Sequence, residues 1–411
     1  MDKLDPSKLI NDVFCMAPWS HLHVTPAGNV YPCCLINGDT SLLGNVNDST
    51  LQDAWNSKEL RDIRVAMINN EEHQSCKWCY VKERDFGYSF RYDFNEKYGN
   101  DLSLVDTTQP DGTVEEMQMR YIDIRFSNLC NLKCRMCGPT FSSQIAAENG
   151  IKPAIKSIPG NMLEEVYGYL ETCEEMYFAG GEPLMMDEHY LILEKLIELG
   201  VKPRIRYNSN ITKLKHKQWD ILELWSHFDD IYIQASIDGF QNELTYIRHP
   251  AKYETVVNTA LEYLTVPSVH IDISTCVGFW NIWSLPELHI DLFERGVIKH
   301  YNKFRMQTMI HPQWFTPKVL PADIKEKVTE KLLNHLNTGF IKDQETIWRN
   351  SSAKCDKAYR DYWTGVVKFM NAEDHWDKWV RHGVKEIAEK DKIRKEDFAT
   401  TFPLLAKMLD V

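Results

Sequence analysis

The chain has 411 residues, of which 43% are hydrophobic and 26% charged, and its formal net charge is −12. This composition is typical of a globular protein, and the acidic balance argues against a general nucleic-acid-binding surface. The first residues lack the apolar core and cleavage site of a signal peptide, and no run of about 18 apolar residues occurs, so we expect a cytoplasmic protein without a membrane span. Eleven cysteines then predict bound metal rather than disulfides.

The N-terminal hundred residues begin with a hairpin pattern. Residues 21–24 alternate as a strand does, residues 26–29 form a Pro-Ala-Gly-Asn turn, and a second short strand leads to Cys33 and Cys34. Glycine and asparagine accept the positive φ that such a turn requires. Apolar residues at helical spacing follow between residues 51 and 68, so we predict a helix there.

Cysteines in this segment form a set of four. Cys15, Cys76 and Cys79 supply three thiols, and either Cys33 or Cys34 supplies the fourth. Four thiolates hold zinc in structural ribbons and also hold iron–sulfur clusters, so the set alone leaves both open. Residues 81–118 are polar with scattered aromatics, and we predict a connection back to the core without assignable chemistry.

Strands and helices alternate from residue 119 onward. Candidate strands occupy residues 121–126, 175–179, 204–208, 231–237, 269–277 and 304–309. Helical patterns occupy residues 162–172, 190–199, 217–225, 253–264 and 286–294. Repeated strand–helix units of this length form a parallel sheet with right-handed crossovers. The pattern therefore predicts an α/β fold, a partial (β/α)6 TIM-like barrel.

Several of these strands alternate polar with apolar residues, which is unusual for a parallel sheet buried on both faces. One face of the first strand carries Asp123 and Arg125, and one face of the fifth carries Asp272 and Cys276. A closed structural barrel would fill its interior with branched apolar side chains. The alternation predicts a polar interior that receives ligands.

A cysteine triad follows the first core strand. Cys130, Cys134 and Cys137 are separated by three and then by two residues. Soft thiolates bind zinc, Cu(I) or iron–sulfur clusters, and three ligands leave one iron of a four-iron cluster open. A structural zinc knuckle that lacks one ligand is the alternative.

This Cys-x3-Cys-x2-Cys pattern, with Met136 before the last cysteine, resembles the radical S-adenosylmethionine (SAM) superfamily. The resemblance implies that Cys130, Cys134 and Cys137 hold a [4Fe–4S] cluster whose open iron binds SAM. It further implies reductive cleavage of SAM to a 5′-deoxyadenosyl radical, which abstracts a substrate hydrogen atom. A one-electron donor such as flavodoxin or ferredoxin is then expected as a partner.

Further motifs stand at the ends of the following strands. The Gly-Gly-Glu-Pro turn at residues 180–183 resembles the superfamily's "GGEP" motif, which holds the amino group of SAM. Asp238 is equally explained as a turn-forming residue, and Arg248 as a solvated surface residue. The resemblance implies cofactor binding by Met136, Gly180, Gly181, Glu182, Asn208, Ser236, Asp238 and Arg248.

Cys276 is the candidate catalytic residue. Some radical SAM epimerases use a cysteine to donate a hydrogen atom to a substrate radical, and Cys276 lies on the polar face of its strand. A lone buried cysteine also serves as a small hydrophobic residue, and the pattern leaves both open.

The N-terminal segment resembles the twitch or SPASM auxiliary-cluster domains of many radical SAM enzymes, through Gly28, Gly44-Asn45 and Trp55. By this resemblance Cys15, Cys33, Cys76 and Cys79 are ligands of an auxiliary [4Fe–4S] cluster, with Cys34 as the alternative to Cys33. Such domains usually follow the radical core, whereas this one precedes it.

We predict four regions: an auxiliary domain at 1–100, a linker at 101–118, a radical SAM partial barrel at 119–320 and a helical region at 321–411. Trp363, Trp376 and Trp379 in the last region are expected to pack rather than to stack on a ligand. Twitch and SPASM relatives mostly cross-link or epimerise peptides and proteins, so we expect a peptide or protein substrate. A small-molecule metabolite is the alternative within this class, and a zinc-stapled, non-catalytic binding protein is the alternative from another class.

Overall fold

The structure is a computed structural model that describes residues 11–36, 41–86, 89–338, 341 and 353–409. These residues form two compact units. The first unit comprises the described residues up to Cys130, together with Pro139–Tyr207 and His227–Ile231. The second comprises Asn131–Gly138, Asn208–Ser226 and the described residues from Tyr232 onward.

Strands and helices alternate through most of the chain. The strands are β1 His21–Val24, β2 Asn29–Tyr31, β3 Gly44–Asn45, β4 Tyr121–Ile124, β5 Lys133–Cys134, β6 Glu175–Phe178, β7 Arg204–Ser209, β8 Lys215–His216, β9 Trp219–Asp220, β10 Ile231–Ala235, β11 Arg248–His249, β12 Val269–Val277 and β13 Phe304–Thr308. The helices are α1 Leu51–Trp55, α2 Lys58–Ile68, α3 Lys77–Phe86, α4 Phe90–Tyr98, α5 Ser103–Asp106, α6 Ser143–Glu148, α7 Asn161–Tyr167, α8 Asp187–Leu199, α9 Ile221–Trp225, α10 Asn242–Ile247, α11 Tyr253–Tyr263, α12 Leu285–Glu294, α13 Ala322–His335, α14 Ala353–Asn371, α15 Trp376–Arg394, α16 Phe398–Thr401 and α17 Pro403–Leu409.

The predicted core strands are all present, and each ends within two residues of its predicted bounds. In the first unit β4 pairs in parallel with β6, and β6 pairs in parallel with β7. In the second unit β12 and β13 are parallel. The predicted α/β class with parallel strands and a helical C-terminal region is therefore confirmed.

The N-terminal hairpin extends the sheet of the first unit. Strand β1 is antiparallel to β2, as predicted, and on its other edge it pairs in parallel with β4. Gly28 closes the hairpin turn with a φ of +86°, and a Cβ there would meet the side chains of Asn45 and Asn47 at 2.6 and 2.5 Å. Only glycine suits this position, because it tolerates positive φ and leaves room for those two amides.

Residues 81–118 are more structured than the predicted connection. Helix α4 places Phe90, Phe94 and Tyr98 on one side at i, i+4 spacing, and successive ring centroids lie 5.3 and 4.7 Å apart. Phe94 meets the ring of Tyr121 on β4 at 5.6 Å. The aromatic spacing that packs this helix was visible in the sequence, although its polar neighbours masked it.

The second unit contains the helical C-terminal region. Trp363 is fully buried and stacks on Phe304, and its ring centroid lies 4.6 Å from that of His335. Trp379 meets Trp314 at 5.9 Å. The packing role predicted for these two tryptophans is confirmed.

Two predicted helices have different bounds in the structure. The helix predicted at 217–225 begins only at Ile221, because β8 and β9 form a small hairpin and the Asp220 side chain caps the helix. The helix predicted at 162–172 ends at Tyr167, and a separate 3-10 turn at Leu170–Thr172 follows it.

Candidate active site and auxiliary cluster site

The first unit contains a cavity whose wall includes four cysteines. They are Cys15, Cys33, Cys76 and Cys79, the four residues that the sequence suggested as auxiliary ligands. Most of the remaining lining is apolar, and Arg91 contributes the cationic side chain. Four thiols in one such cavity form the donor set that a [4Fe–4S] cluster requires.

Three separate backbone segments carry these cysteines, and one of them carries both Cys76 and Cys79. Cys15 precedes a 3-10 turn, Cys33 begins a tight turn that Ile36 closes through its N–H at 3.2 Å, and Cys76 ends a second 3-10 turn that leads into α3. Cys79 lies on α3 itself. Long-range folding therefore brings Cys15 and Cys33 to the locally spaced pair Cys76 and Cys79.

Arg91 and Asn95 of α4 fix the backbone beside Cys15. The Arg91 guanidinium donates to the Phe14 carbonyl at 2.9 Å and to the Glu83 carboxylate at 2.5 and 2.9 Å. Asn95 donates to the same carbonyl at 2.8 Å and accepts from the Met16 N–H at 2.8 Å. These contacts tie Cys15 to the segment that follows Cys79.

Burial raises the pKa of each thiol in this cavity. For Cys76 the pKa rises to about 12, and the neighbouring Cys79 contributes to the rise. The pKa values of Cys15, Cys33 and Cys79 are also raised, with burial as the first cause. Such thiols lose their protons to a bound metal centre, because its positive charge compensates the buried thiolates. The donor chemistry of the cavity therefore fits an iron–sulfur cluster.

Cys34 belongs to a different cluster of side chains. It does not line the cavity in the described residues, and its pKa is raised to about 12 by burial and then by the charge of Asp123. Asp123 accepts a hydrogen bond from His23 Nδ1 at 2.9 Å, and the Arg125 guanidinium lies 3.3 Å from it. Cys33 thus lines the largely apolar cavity, whereas the adjacent Cys34 lies beside the charged side chains of Asp123 and Arg125.

The Gly-Gly-Glu-Pro turn packs against the backbone that leads into the cysteine triad. Gly181 donates its N–H to the Ser127 carbonyl at 3.2 Å, and Glu182 donates its N–H to the Leu129 carbonyl at 2.7 Å. A Cβ on Gly181 would lie 2.1 Å from that Leu129 oxygen, and one on Gly180 would lie 2.9 Å from the Ser127 oxygen. The glycines are needed here for contact between two segments of the protein, a reason that the motif alone does not reveal.

In the second unit, Cys134 of the triad lies on a short two-stranded sheet. Strand β5 pairs antiparallel with β11, so that Cys134 lies opposite Arg248 and Lys133 lies opposite His249. The Arg248 Nη1 atom is 3.7 Å from Cys134 Sγ. Burial raises the pKa of the Cys134 thiol, and the Arg248 charge opposes that rise. The predicted SAM-binding arginine therefore lies beside a predicted cluster ligand.

Asp238 links Arg248 to the fifth core strand. Its Oδ2 atom accepts from Arg248 Nε at 2.5 Å, and its Oδ1 atom accepts from the Cys276 backbone N–H at 2.7 Å. Asp238 is fully buried, and only 14% of the Arg248 side chain is exposed. Asp238 is therefore more than a turn-forming residue, and Arg248 is not a solvated surface residue.

The other predicted SAM contacts are more dispersed. Ser236 donates its backbone N–H to Ser209 at 2.9 Å, Asn208 is exposed, and Met136 is half-buried. Asn131, which follows Cys130, bonds to Asn210 and Thr212, each at 2.9 Å. The sequence analysis missed this amide network, although two asparagines and a threonine beside the strand-three motif signalled it.

Within the described part of the chain, no three histidine, cysteine, aspartate or glutamate side chains form a group that could hold a metal ion. Among the described helices, none has the length and apolarity needed to cross a bilayer.

Two family models match the chain. SPASM, described as an iron–sulfur cluster-binding domain, matches residues 15–80, and the radical SAM superfamily matches residues 124–279. No curated protein matches it.

Among solved structures, the chain is similar to SuiB from Streptococcus suis. SuiB bound to S-adenosylmethionine is 15% identical with a TM-score of 0.40, and the match covers 67% of this chain and 63% of that one. SuiB bound to its precursor peptide SuiA is 12% identical with a TM-score of 0.39, covering 77% of this chain and 68% of that one. This chain thus spans less than two thirds of SAM-bound SuiB, and at this identity the likeness concerns the fold alone.

The matched ranges contain the site residues described above. The SPASM range contains all four cysteines of the cavity, and the radical SAM range contains the triad, the Gly-Gly-Glu-Pro turn and Arg248. The fold is accordingly a partial barrel of the radical SAM type, and iron–sulfur clusters and SAM are its cofactors. The chain thus carries a radical SAM domain at residues 124–279, and a SPASM domain at residues 15–80 precedes it.

Proposed function

We propose that the enzyme abstracts a hydrogen atom from a peptide or protein and so forms a cross-link or an epimer. The observation that carries this proposal is the convergence of Cys15, Cys33, Cys76 and Cys79 on one cavity. A SPASM domain with a complete ligand set resembles those of peptide-modifying enzymes. A zinc-stapled, non-catalytic protein is disfavoured, because the chain also matches the radical SAM core.

Cys130, Cys134 and Cys137 would hold the SAM-binding [4Fe–4S] cluster, and bound SAM would supply the organic radical that removes the hydrogen atom. Arg248 is suited to bind the SAM carboxylate, since it is a largely buried cation whose Nε is already oriented by Asp238. Glu182 is suited to bind the amino group, because its side chain is buried at the end of β6. Met136, Gly180, Gly181, Asn208 and Ser236 stay as proposed contacts.

Cys15, Cys33, Cys76 and Cys79 would hold the auxiliary [4Fe–4S] cluster. This cluster would accept an electron from the substrate or bind the substrate directly. Cys33 is favoured over Cys34, because only Cys33 of the two lines the cavity in the described residues.

Cys276 is proposed as the hydrogen-atom donor in an epimerisation. Burial and the charge of Asp238 raise the pKa of its thiol to about 12, so the group keeps its proton at neutral pH. A hydrogen-atom donor needs the intact S–H bond, which a thiolate lacks. The regions 1–100, 101–118, 119–320 and 321–411 likewise stay as the proposed domain division.

Anaerobic reconstitution tests the proposal. We expect iron and sulfide for two [4Fe–4S] clusters per chain, and reduction with SAM is expected to release 5′-deoxyadenosine. Candidate peptides should raise this release and change in mass, and a deuterated peptide should transfer its label to 5′-deoxyadenosine. The matched control replaces Cys173, a buried cysteine outside both ligand sets, by alanine.

Zinc as the metal present, or SAM left intact under a strong reductant, would overturn the radical chemistry. Label transfer from small metabolites but from no peptide would instead identify a metabolite as the substrate.

A further inference from the structure

Arg135 lies inside the cysteine triad, directly after Cys134, and its side chain is fully buried. Its backbone N–H donates to the Ile247 carbonyl at 2.8 Å, and its Nε donates to the Tyr246 carbonyl at 3.0 Å. The guanidinium also lies 3.6 Å from the centroid of the Tyr246 ring. The triad loop is thereby joined to the end of α10.

Two carboxylates from the C-terminal region neutralise this guanidinium. Arg135 Nη2 lies 2.5 Å from Asp391 Oδ1 and 2.6 Å from Glu396 Oε2. Asp391 is on the last turn of α15, and Glu396 follows that helix. Lys395, with a φ of +56°, reverses the chain there, and the Glu396 N–H returns to the Asp391 carbonyl at 3.0 Å. The helix terminus thus presents both carboxylates together.

The same two carboxylates contact the partner strand of the triad loop and the helix before it. Glu396 Oε1 is 2.6 Å from His249 Nδ1, and His249 is paired with Lys133 across the small sheet. Asp391 accepts from the Tyr246 hydroxyl at 2.7 Å and from the Phe398 N–H at 2.8 Å. One C-terminal segment therefore contacts β11 through His249 and the end of β5 through the next residue, Arg135.

A buried guanidinium is strongly destabilising unless carboxylates pair with it. Removing Asp391 and Glu396 would leave Arg135 uncompensated inside the triad loop, and the loop would have to rearrange to bring that charge to water. The loop conformation thus depends on residues more than 250 positions later in the chain.

We propose that Asp391 and Glu396 form a clasp: they are positioning residues that lock the triad loop through Arg135 and His249 and so set the geometry in which its cluster meets SAM. This rests on the proposed function of Cys130, Cys134 and Cys137. The clasp gives the C-terminal region a role in the radical site. It would act through Arg135 and His249 rather than on the substrate or cofactor directly.

The double variant D391N/E396Q tests the clasp, because it removes both charges and keeps the shapes of the side chains. The matched control, D377N/E389Q, makes the same change at exposed positions of the same helix. We expect the clasp variant to lose about tenfold or more in kcat/KM for SAM and to alter the electron paramagnetic resonance change that SAM causes in the reduced cluster. The control should match the parent in both.

Two further measurements separate the clasp from a general loss of stability. The auxiliary cluster should be unaffected by the clasp substitutions. When the triad cysteines are replaced by alanine in both the parent and the clasp variant, the two proteins should therefore bind the same amount of iron. Adding R135M to the clasp variant should recover SAM turnover in part, since no buried charge is then left unpaired. If the double variant does not fold, the single variant E396Q provides the same comparison.

Hydrogen–deuterium exchange of the cluster-free proteins supplies a readout that needs no activity. Amides of residues 133–137 should exchange about tenfold faster or more in D391N/E396Q than in the control variant. Equal exchange, or equal SAM kinetics and spectra in both variants, would overturn the clasp. A parent that holds no cluster on the triad would contradict the proposed function instead, and the exchange data would still decide whether the clasp holds the loop.

Discussion

The auxiliary cavity and the triad loop both contain cysteines that we propose as iron–sulfur ligands, yet they are built in opposite ways. The cavity collects four cysteines from separate segments within a largely apolar wall. The triad loop has its cysteines close together in sequence, and charged groups surround it, among them Arg248, Asp238 and Arg135. An apolar wall suits a closed set of four ligands, whereas charges suit a site that must also bind a charged cofactor.

The largest expected effect distinguishes the two cysteine sets. C134A should abolish 5′-deoxyadenosine formation, a loss of about 1000-fold or more, because two thiolates hold the catalytic cluster poorly. C76A should leave SAM cleavage within about tenfold of the parent but should stop product formation. Chromatographic assay of 5′-deoxyadenosine and product mass, with C173A as the control, checks both. Equal loss of cleavage in C76A would mean that the sites do not act separately.

Within the auxiliary site, adjacent cysteines should behave differently. C33A removes a ligand from the cavity, so we expect loss of about half of the bound iron. C34A should keep its iron, since Cys34 lies beside Asp123 and Arg125 instead. Iron analysis after anaerobic reconstitution is the measurement. The reverse result would assign Cys34 as the ligand.

At the triad loop, Arg248 should govern SAM affinity. R248M removes the buried cation beside Cys134, and we expect KM for SAM to rise about 10- to 100-fold, the effect of losing a charge-assisted hydrogen bond. The contrasting variant R91M should leave this KM near the parent value, because Arg91 lies at the auxiliary cavity. Steady-state kinetics at saturating reductant would separate the two arginines. An unchanged KM in R248M would remove it from the SAM site.

The smallest expected effect is a pH response with opposite signs in the two units. Burial raises the pKa of Glu243 in the second unit from 4.5 to about 7, against a hydrogen bond from Ser284. The folded state therefore favours the protonated form of Glu243. The contribution of this carboxyl group to the free energy of unfolding is full below pH 4.5 and is lost as pH rises through the folded-state pKa near 7. In the first unit burial lowers the pKa of His21 to about 4, and stabilisation is lost as pH falls from 6.5 towards 4.

Urea unfolding between pH 5 and 8 measures the Glu243 part. The parent should lose about 1–3 kcal/mol of unfolding free energy over this range relative to E243Q, whose amide does not titrate. E287Q is the matched control, because Glu287 is a neighbouring and more exposed carboxylate. Parallel pH profiles for the parent and E243Q would contradict this assignment.

Local patterns in the sequence determined much of this protein. The spacing of Cys130, Cys134 and Cys137 indicates their shared chemistry, since residues this close along the chain can reach one cluster in many loop conformations. The core strands followed from their alternation and their bounding turns. These features depend on neighbours within a few residues, so a local pattern carries them.

Only the tertiary structure decided which of Cys33 and Cys34 faces the cavity, because the two residues lie in a tight turn and their partner surfaces come from distant segments. It also showed that the close Leu129 carbonyl requires a glycine at position 181. The pairing of Arg135 with Asp391 and Glu396 has no local signal at all. Contacts of this kind arise when folding brings remote charges together, and burial then makes their pairing obligatory.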